Sequence, residues 1–134
     1  AKTIYHGHTQ RIDLGHISAE EAGVAPRYFL SWAGIGLDAE VAKKVESAPE
    51  DKRLFGRAAY VVPALMVAST YQGVPITVEI DEHEVSHKAL WVTVNNIQLY
   101  GGLIRMAPTA HIDDGWLDIT IFPGKSLVDL LGQV

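Results

Sequence analysis

The chain has no cysteine among its 134 residues. That excludes a disulfide framework and any thiolate metal centre. A long hydrophobic run is also missing. The longest apolar stretch, Ala58 to Ala68, is too short to span a bilayer and is interrupted by Pro63. Residues Ala1 to Gln10 contain no apolar segment of the kind a secretory leader needs. Positive charge is scarce, with 11 Lys and Arg against 16 Asp and Glu, a formal net charge of −5. A nucleic-acid partner requires a basic stripe that displaces phosphate counterions, so none is expected. Strong attraction to anionic headgroups is not expected either. There is no GxGxxG motif, no P-loop lysine motif and no Gly-x-Ser-x-Gly. These residues therefore supply neither a phosphate-cradling loop nor a serine nucleophile elbow. The expectation is a soluble, cytoplasmic protein.

What is present is a globular balance of 48% hydrophobic and 20% charged residues, in a chain the length of one ordinary domain. A chain of this size can bury a core without covalent staples. It opens at Ala1 without Met and ends at Val134 in what reads as the first turns of a helix. Both ends read as cut from something larger.

Period-2 alternation predicts strands over Arg11–Ile17, Val74–Ile80 and Trp116–Phe122. The aromatic-rich Arg27–Ala33 and the run Ala89–Val94 also read as strands. Val85–His87 is expected to begin the partner of a hairpin after a polar turn at Asp81–Glu84. Leu37, Val41 and Val45, spaced by four, predict a helix over Leu37–Ala48, with Asp38 suited to its first turn and Pro49 past its end. Phe55–Thr70 reads as a second, mostly buried helix kinked at Pro63. Ser18–Pro26 and Pro108–Gly115 read as loops, and Ser126 as the cap of a last helix. Without βαβ alternation, the expected class is α+β, mainly an antiparallel β-sandwich with two inserted helices.

Chemistry-bearing residues concentrate between Asn95 and Gly115: two amides, a double glycine and paired carboxylates. Asp113 and Asp114 cannot both point into a core, because a buried unpaired carboxylate costs several kcal/mol. One must face solvent, a cation or a substrate, or the pair is simply an Asp-Gly turn opening a strand. Gly101–Gly102 marks either a turn or a flat surface where a ligand approaches closely. Gly34 to Asp38 is either an anion site at a helix start or a tight crossing from strand to helix. His6 and His8 share one face if extended and could bind a metal, given a third ligand. His111 could orient a carboxylate or lie on the surface. Tyr60 and Met66, on the apolar Phe55–Thr70 helix, could admit an acyl chain or be plain core.

Taken together, four stretches resemble the diacylglycerol kinase superfamily, which includes bacterial lipid kinases and sphingosine kinases. They are Arg11 to Gly15; Tyr28 to Leu30 with Ala33 to Ala39; Asn95–Asn96 with Tyr100 to Gly102; and Pro108, Ala110 and Asp113 to Asp118. Ser31 stands where the family often has Asn, and Leu103 where a third glycine is common. The resemblance implies that residues 1–134 form one domain, the C-terminal β-sandwich of a two-domain kinase. The missing N-terminal domain would carry a GGDGT-type nucleotide loop. It implies ATP and Mg²⁺ as cofactors of the whole enzyme, not bound by this segment alone. A diacylglycerol-like or sphingoid alcohol would be the lipid substrate, with peripheral membrane contact. By the same resemblance Asp114 would accept the hydroxyl proton. Asn95, Gly101 and Gly102 would shape the cleft. Asp118, expected on the strand face of Trp116, would orient metal or substrate. The competing expectation is a non-catalytic β-sandwich that binds an apolar ligand or a partner protein, with Asp114 as a turn residue. An enzyme related to NAD kinase is not expected to carry this motif set.

Overall fold

The computed structural model describes residues 6–46, 67, 69–100, 104–124 and 126. In chain order the elements are β1 (Gly15–Ala19), a 3₁₀ turn (Glu20–Ala22), β2 (Val24–Phe29), β3 (Trp32–Gly36) and α1 (Leu37–Glu46). They continue with β4 (Val74–Ile80), β5 (His83–Asn95), β6 (Leu99–Tyr100), β7 (Ile104–Arg105) and β8 (Asp118–Pro123). The β1–β2, β4–β5 and β6–β7 pairs are antiparallel, and β5 is flanked by β3 and β4 and also pairs with β8. The class is α+β and mainly antiparallel, as expected. No helix among the described residues is long and apolar enough to cross a membrane.

The chain divides into two compact units, one within residues 1–33 and 94–119, the other within 34–93 and 120–134. In the first, β1 and β2 form a hairpin in which Gly15 faces Phe29 and His16 faces Tyr28. Gly15 is buried because the Phe29 ring lies over it, where any side chain would collide. Trp32 and Tyr100 bring their rings to 4.8 Å.

In the second unit, β3 runs directly into α1. Gly36 makes the junction at φ +87°, a conformation that disfavours side chains. A Cβ there would also sit 2.8 Å from the Leu90 carbonyl oxygen. The Asp38 carboxylate lies over Gly34. This is the tight-crossing reading of Gly34 to Asp38, with a negative side chain already at the helix start. Leu37 and Leu90 form the buried core, joined by Val41, Val67, Tyr71 and Trp91. Full burial of a leucine such as Leu90 contributes about 1.5–3 kcal/mol. Trp91 stacks on Phe122 with ring centroids 5.2 Å apart. The β4–β5 hairpin turns through Asp81 and Glu82, both at positive φ, and closes with Ile80 opposite His83. Positive φ at both central residues is the signature of the primed turns that match strand twist.

Several boundaries differ from the expectation. Val85–His87 and Ala89–Val94 are one 13-residue strand, since neither glycine nor proline interrupts them. The stretch Arg27–Ala33 is split between β2 and β3. Arg11 to Leu14 are not in a strand, whereas Ser18–Pro26, expected as a loop, contributes to β1 and β2. The expected Phe55–Thr70 helix lies outside the described residues except for Val67, Ser69 and Thr70, which are helical. The helix expected after Ser126 also lies outside them.

Candidate functional site

The Asp113–Gly115 stretch lies between Ala110, which is buried, and the start of β8. Gly115 adopts φ +78°, and no atom would meet a side chain there. The glycine therefore serves backbone conformation, not close packing. Asp113 and Asp114 are both exposed, in keeping with the cost of burying two adjacent carboxylates. The Trp116 amide donates to Asp114 Oδ1 at 3.0 Å, a local side-chain turn of the kind Asp favours. Its other carboxylate oxygen has no hydrogen-bond partner among the described residues.

A second segment, residues 10–13, braces this turn. Gln10 Nε2 donates to Asp113 Oδ2 at 2.8 Å. The Asp13 amide donates to the Ile112 carbonyl at 2.7 Å, and Asp13 Oδ2 accepts the Gly115 amide at 2.7 Å. Asp13 thus grips the chain on both sides of Asp113 and Asp114. The grip is anchored by Asn96, which is wholly buried. Its Nδ2 donates to the carbonyls of Asp13 and Leu30, both at 2.9 Å, and its backbone amide donates to Ser31 at 2.8 Å. Two acceptor carbonyls on the amide nitrogen fix its orientation, because the flipped amide would set oxygen against oxygen. Asn96 Oδ1, also buried, has no hydrogen-bond partner among the described residues.

Asn95 and Asp118 form a separate tie. Asn95 is buried and its Nδ2 donates to the Asp118 carbonyl at 3.2 Å. The Thr109 hydroxyl donates to Asp118 Oδ1 at 2.6 Å. Asn95 ends β5 and Asn96 follows it outside the strand, and the neighbouring amides serve different ends of the loop: Asn95 its exit, Asn96 its brace.

The residues expected from sequence therefore separate. Asp114 is accessible, Asn95 and Asp118 are joined, and Gly101 and Gly102 lie outside the described residues. Asp118 does not share a strand face with Trp116. Trp116 precedes β8 and is 67% exposed, whereas Asp118 is half-buried within it. His111 is exposed, and His6 and His8 approach each other at 6.1 Å outside any strand. No group of three potential metal ligands from His, Cys, Asp and Glu occurs among the described residues. Gln10, Asp13 and Asn96 escaped site assignment from sequence. Asp13 and Asn96 lie within the stretches that resemble the kinase superfamily, whereas Gln10 carried no signal.

An α+β fold that presents two exposed carboxylates, Asp113 and Asp114, on a braced turn defines the structural class. Residues 31–134 match the YegS C-terminal NAD kinase beta sandwich-like domain, and the chain belongs to that family. It is 25% identical over 127 residues to a Staphylococcus saprophyticus protein named diacylglycerol kinase, covering 95% of this chain and 39% of that protein. It is 23% identical over 131 residues to a Bacillus subtilis protein of the same name, covering 98% of this chain and 40% of that one. The chain thus spans about two fifths of the length of these relatives. Among solved structures, a diacylglycerol kinase from Bacillus anthracis superposes with a TM-score of 0.60 at 23% identity. That match covers 99% of this chain and 40% of that one, and at this identity it establishes the fold.

Proposed function

We propose that this chain is the acceptor-side domain of a lipid kinase that transfers phosphate from ATP to a diacylglycerol-like or sphingoid alcohol. The observation that carries the reading is the Asp113–Gly115 turn, in a chain whose family relatives are named diacylglycerol kinases. Asp114 is exposed and its carboxylate is tied only within its own turn, while Asp113 and Asp118 each have an oxygen engaged by a residue remote in the chain, Gln10 and Thr109. In the proposed reaction the lipid hydroxyl oxygen bonds to the γ-phosphorus of ATP. The bond from that phosphorus to the bridging oxygen breaks, ADP leaves, and the hydroxyl proton passes to Asp114. A base must reach the proton it accepts, and an exposed carboxylate with no tertiary hydrogen bond among the described residues makes Asp114 the candidate. ATP and Mg²⁺ are assigned to parts of the parent protein other than the described residues. Mg²⁺ would neutralise charge on the phosphates.

The test is phosphoryl transfer by the full-length parent with labelled ATP, Mg²⁺ and a panel of diacylglycerols and sphingoid bases. Label should enter one lipid class. Asp114→Asn keeps the shape and the Trp116 contact, and should lower kcat by at least about 100-fold, the usual contribution of a general base. Retained turnover in the variant would remove Asp114 from the proton-accepting role. No labelled lipid from a folded parent would favour the non-catalytic β-sandwich reading.

A further inference from the structure

We infer that Asp13 is a positioning residue for the reacting carboxylate, acting through the backbone on both sides of Asp114. The inference rests on the kinase reading for its consequence in turnover, and on the hydrogen bonds alone for its geometry. Three observations carry it. The Asp13 amide holds the Ile112 carbonyl, and its carboxylate holds the Gly115 amide. Both bonds are 2.7 Å, short for N–H to oxygen contacts. The turn between them is exposed, and besides the Gln10 contact to Asp113 and the local Asp114 contact to the Trp116 amide, its direction depends on the two outer contacts. Asp13 itself is held from the buried side, where Asn96 Nδ2 takes its carbonyl.

The requirement on Asp13 is an acceptor oxygen at the Gly115 amide, not a negative charge at the reacting atoms. That separates a positioning role from a proton-transferring or charge-stabilising one. Asparagine at this position supplies the same acceptor at the same reach, and alanine supplies none. Misplacing a reacting group by about 1 Å costs roughly 100-fold in rate without any loss of binding. The effect of removing the acceptor should therefore fall on kcat.

The experiment compares D13A and D13N in the full-length parent by lipid phosphorylation and by NMR of ¹⁵N-glycine-labelled protein. The Gly115 resonance is assigned by its disappearance in G115A. D13A should lower kcat by about 10- to 100-fold, with KM for ATP within about twofold, and should shift the Gly115 amide proton upfield. D13N should recover most of the lost kcat and return the Gly115 resonance. Wild-type kcat in D13A, equal impairment of D13A and D13N, or an unmoved Gly115 resonance in D13A would each overturn the inference. If D13A does not fold, D13N decides: a displaced Gly115 resonance counts against the inference and a native one supports it. A wild-type parent that phosphorylates no lipid would sink the kinase reading. The Gly115 resonance would then still decide whether the clamp exists.

Discussion

Replacing Asn96 by alanine removes two donors at once, from the carbonyls of Asp13 and Leu30. A hydrogen bond contributes about 0.5–1.5 kcal/mol net, and a carbonyl left dry costs about 1–3 kcal/mol. Leu30 is exposed, so water can replace its lost donor and the lower figure applies. Asp13 is half-buried, and its carbonyl takes the larger penalty. The substitution also deletes Asn96 Oδ1, a buried acceptor with no partner among the described residues, and so returns about 1 kcal/mol. The expected net loss is about 2 kcal/mol. At a typical urea dependence, that lowers the unfolding midpoint by about 1 M. The assay is urea unfolding of the full-length parent, followed by fluorescence. A midpoint within about 0.2 M of wild type would refute the reasoning, because it would mean that water or another donor already serves both carbonyls. Asn96→Asp is a sharper form of the test. It keeps the shape but sets a carboxylate against two carbonyl oxygens, which should raise that carboxyl's folded pKa. Its penalty should therefore be smallest at acid pH and grow as pH rises through the raised value. A penalty that grows toward acid pH would contradict the geometry.

Two further substitutions test the scaffold. Gly36→Ala combines positive φ with a Cβ 2.8 Å from the Leu90 carbonyl, and should cost more than the roughly 1–2 kcal/mol of left-handed strain alone. Gly115→Ala, at similar φ in open space, should cost no more than that strain, so thermal melts that fail to rank the two would count against the packing argument. Glu82→Gly should stabilise the β4–β5 turn by roughly 0.5–1 kcal/mol, because Asp-Gly suits a turn with two positive φ angles; a lower melting temperature would show that Glu82 makes a compensating contact.

How far the sequence could be read depended on where each backbone group finds its partner. Val74–Ile80 was legible to the residue, because its alternation is regular and a two-residue turn pairs it with its immediate successor. The misjudged stretches are those whose backbone bonds go to distant residues. Arg11 to Leu14 alternate like a strand, yet the Asp13 amide and carbonyl go to Ile112 and Asn96. Arg27–Ala33 reads as one strand, yet the Leu30 and Ser31 carbonyls are both taken by Asn96, and the chain breaks there. Trp116 fits the alternation of β8, yet its amide is held by Asp114. Periodicity reports side-chain faces and says nothing of these long-range claims on the backbone.

The same claims account for why the carboxylates of one short region are not equivalent. In sequence, Asp113, Asp114 and Asp118 look like three candidates for one role. Asp113 is held by Gln10, Asp118 by Thr109, and Asp13, remote in sequence, by the Gly115 amide. Each has an oxygen engaged by a group at least nine residues away in the chain. Asp114 alone among the four is tied only within its own turn, two residues on. A carboxylate whose tertiary bonds are all made by its neighbours has its position fixed while neither of its own oxygens is held by a distant group. That combination is what a group reacting with an external molecule needs, since it is oriented without being occupied. The brace from residues 10–13 and the buried amide of Asn96 are therefore as much a part of the candidate site as Asp114. They lie more than eighty residues apart in a chain whose local patterns mark neither.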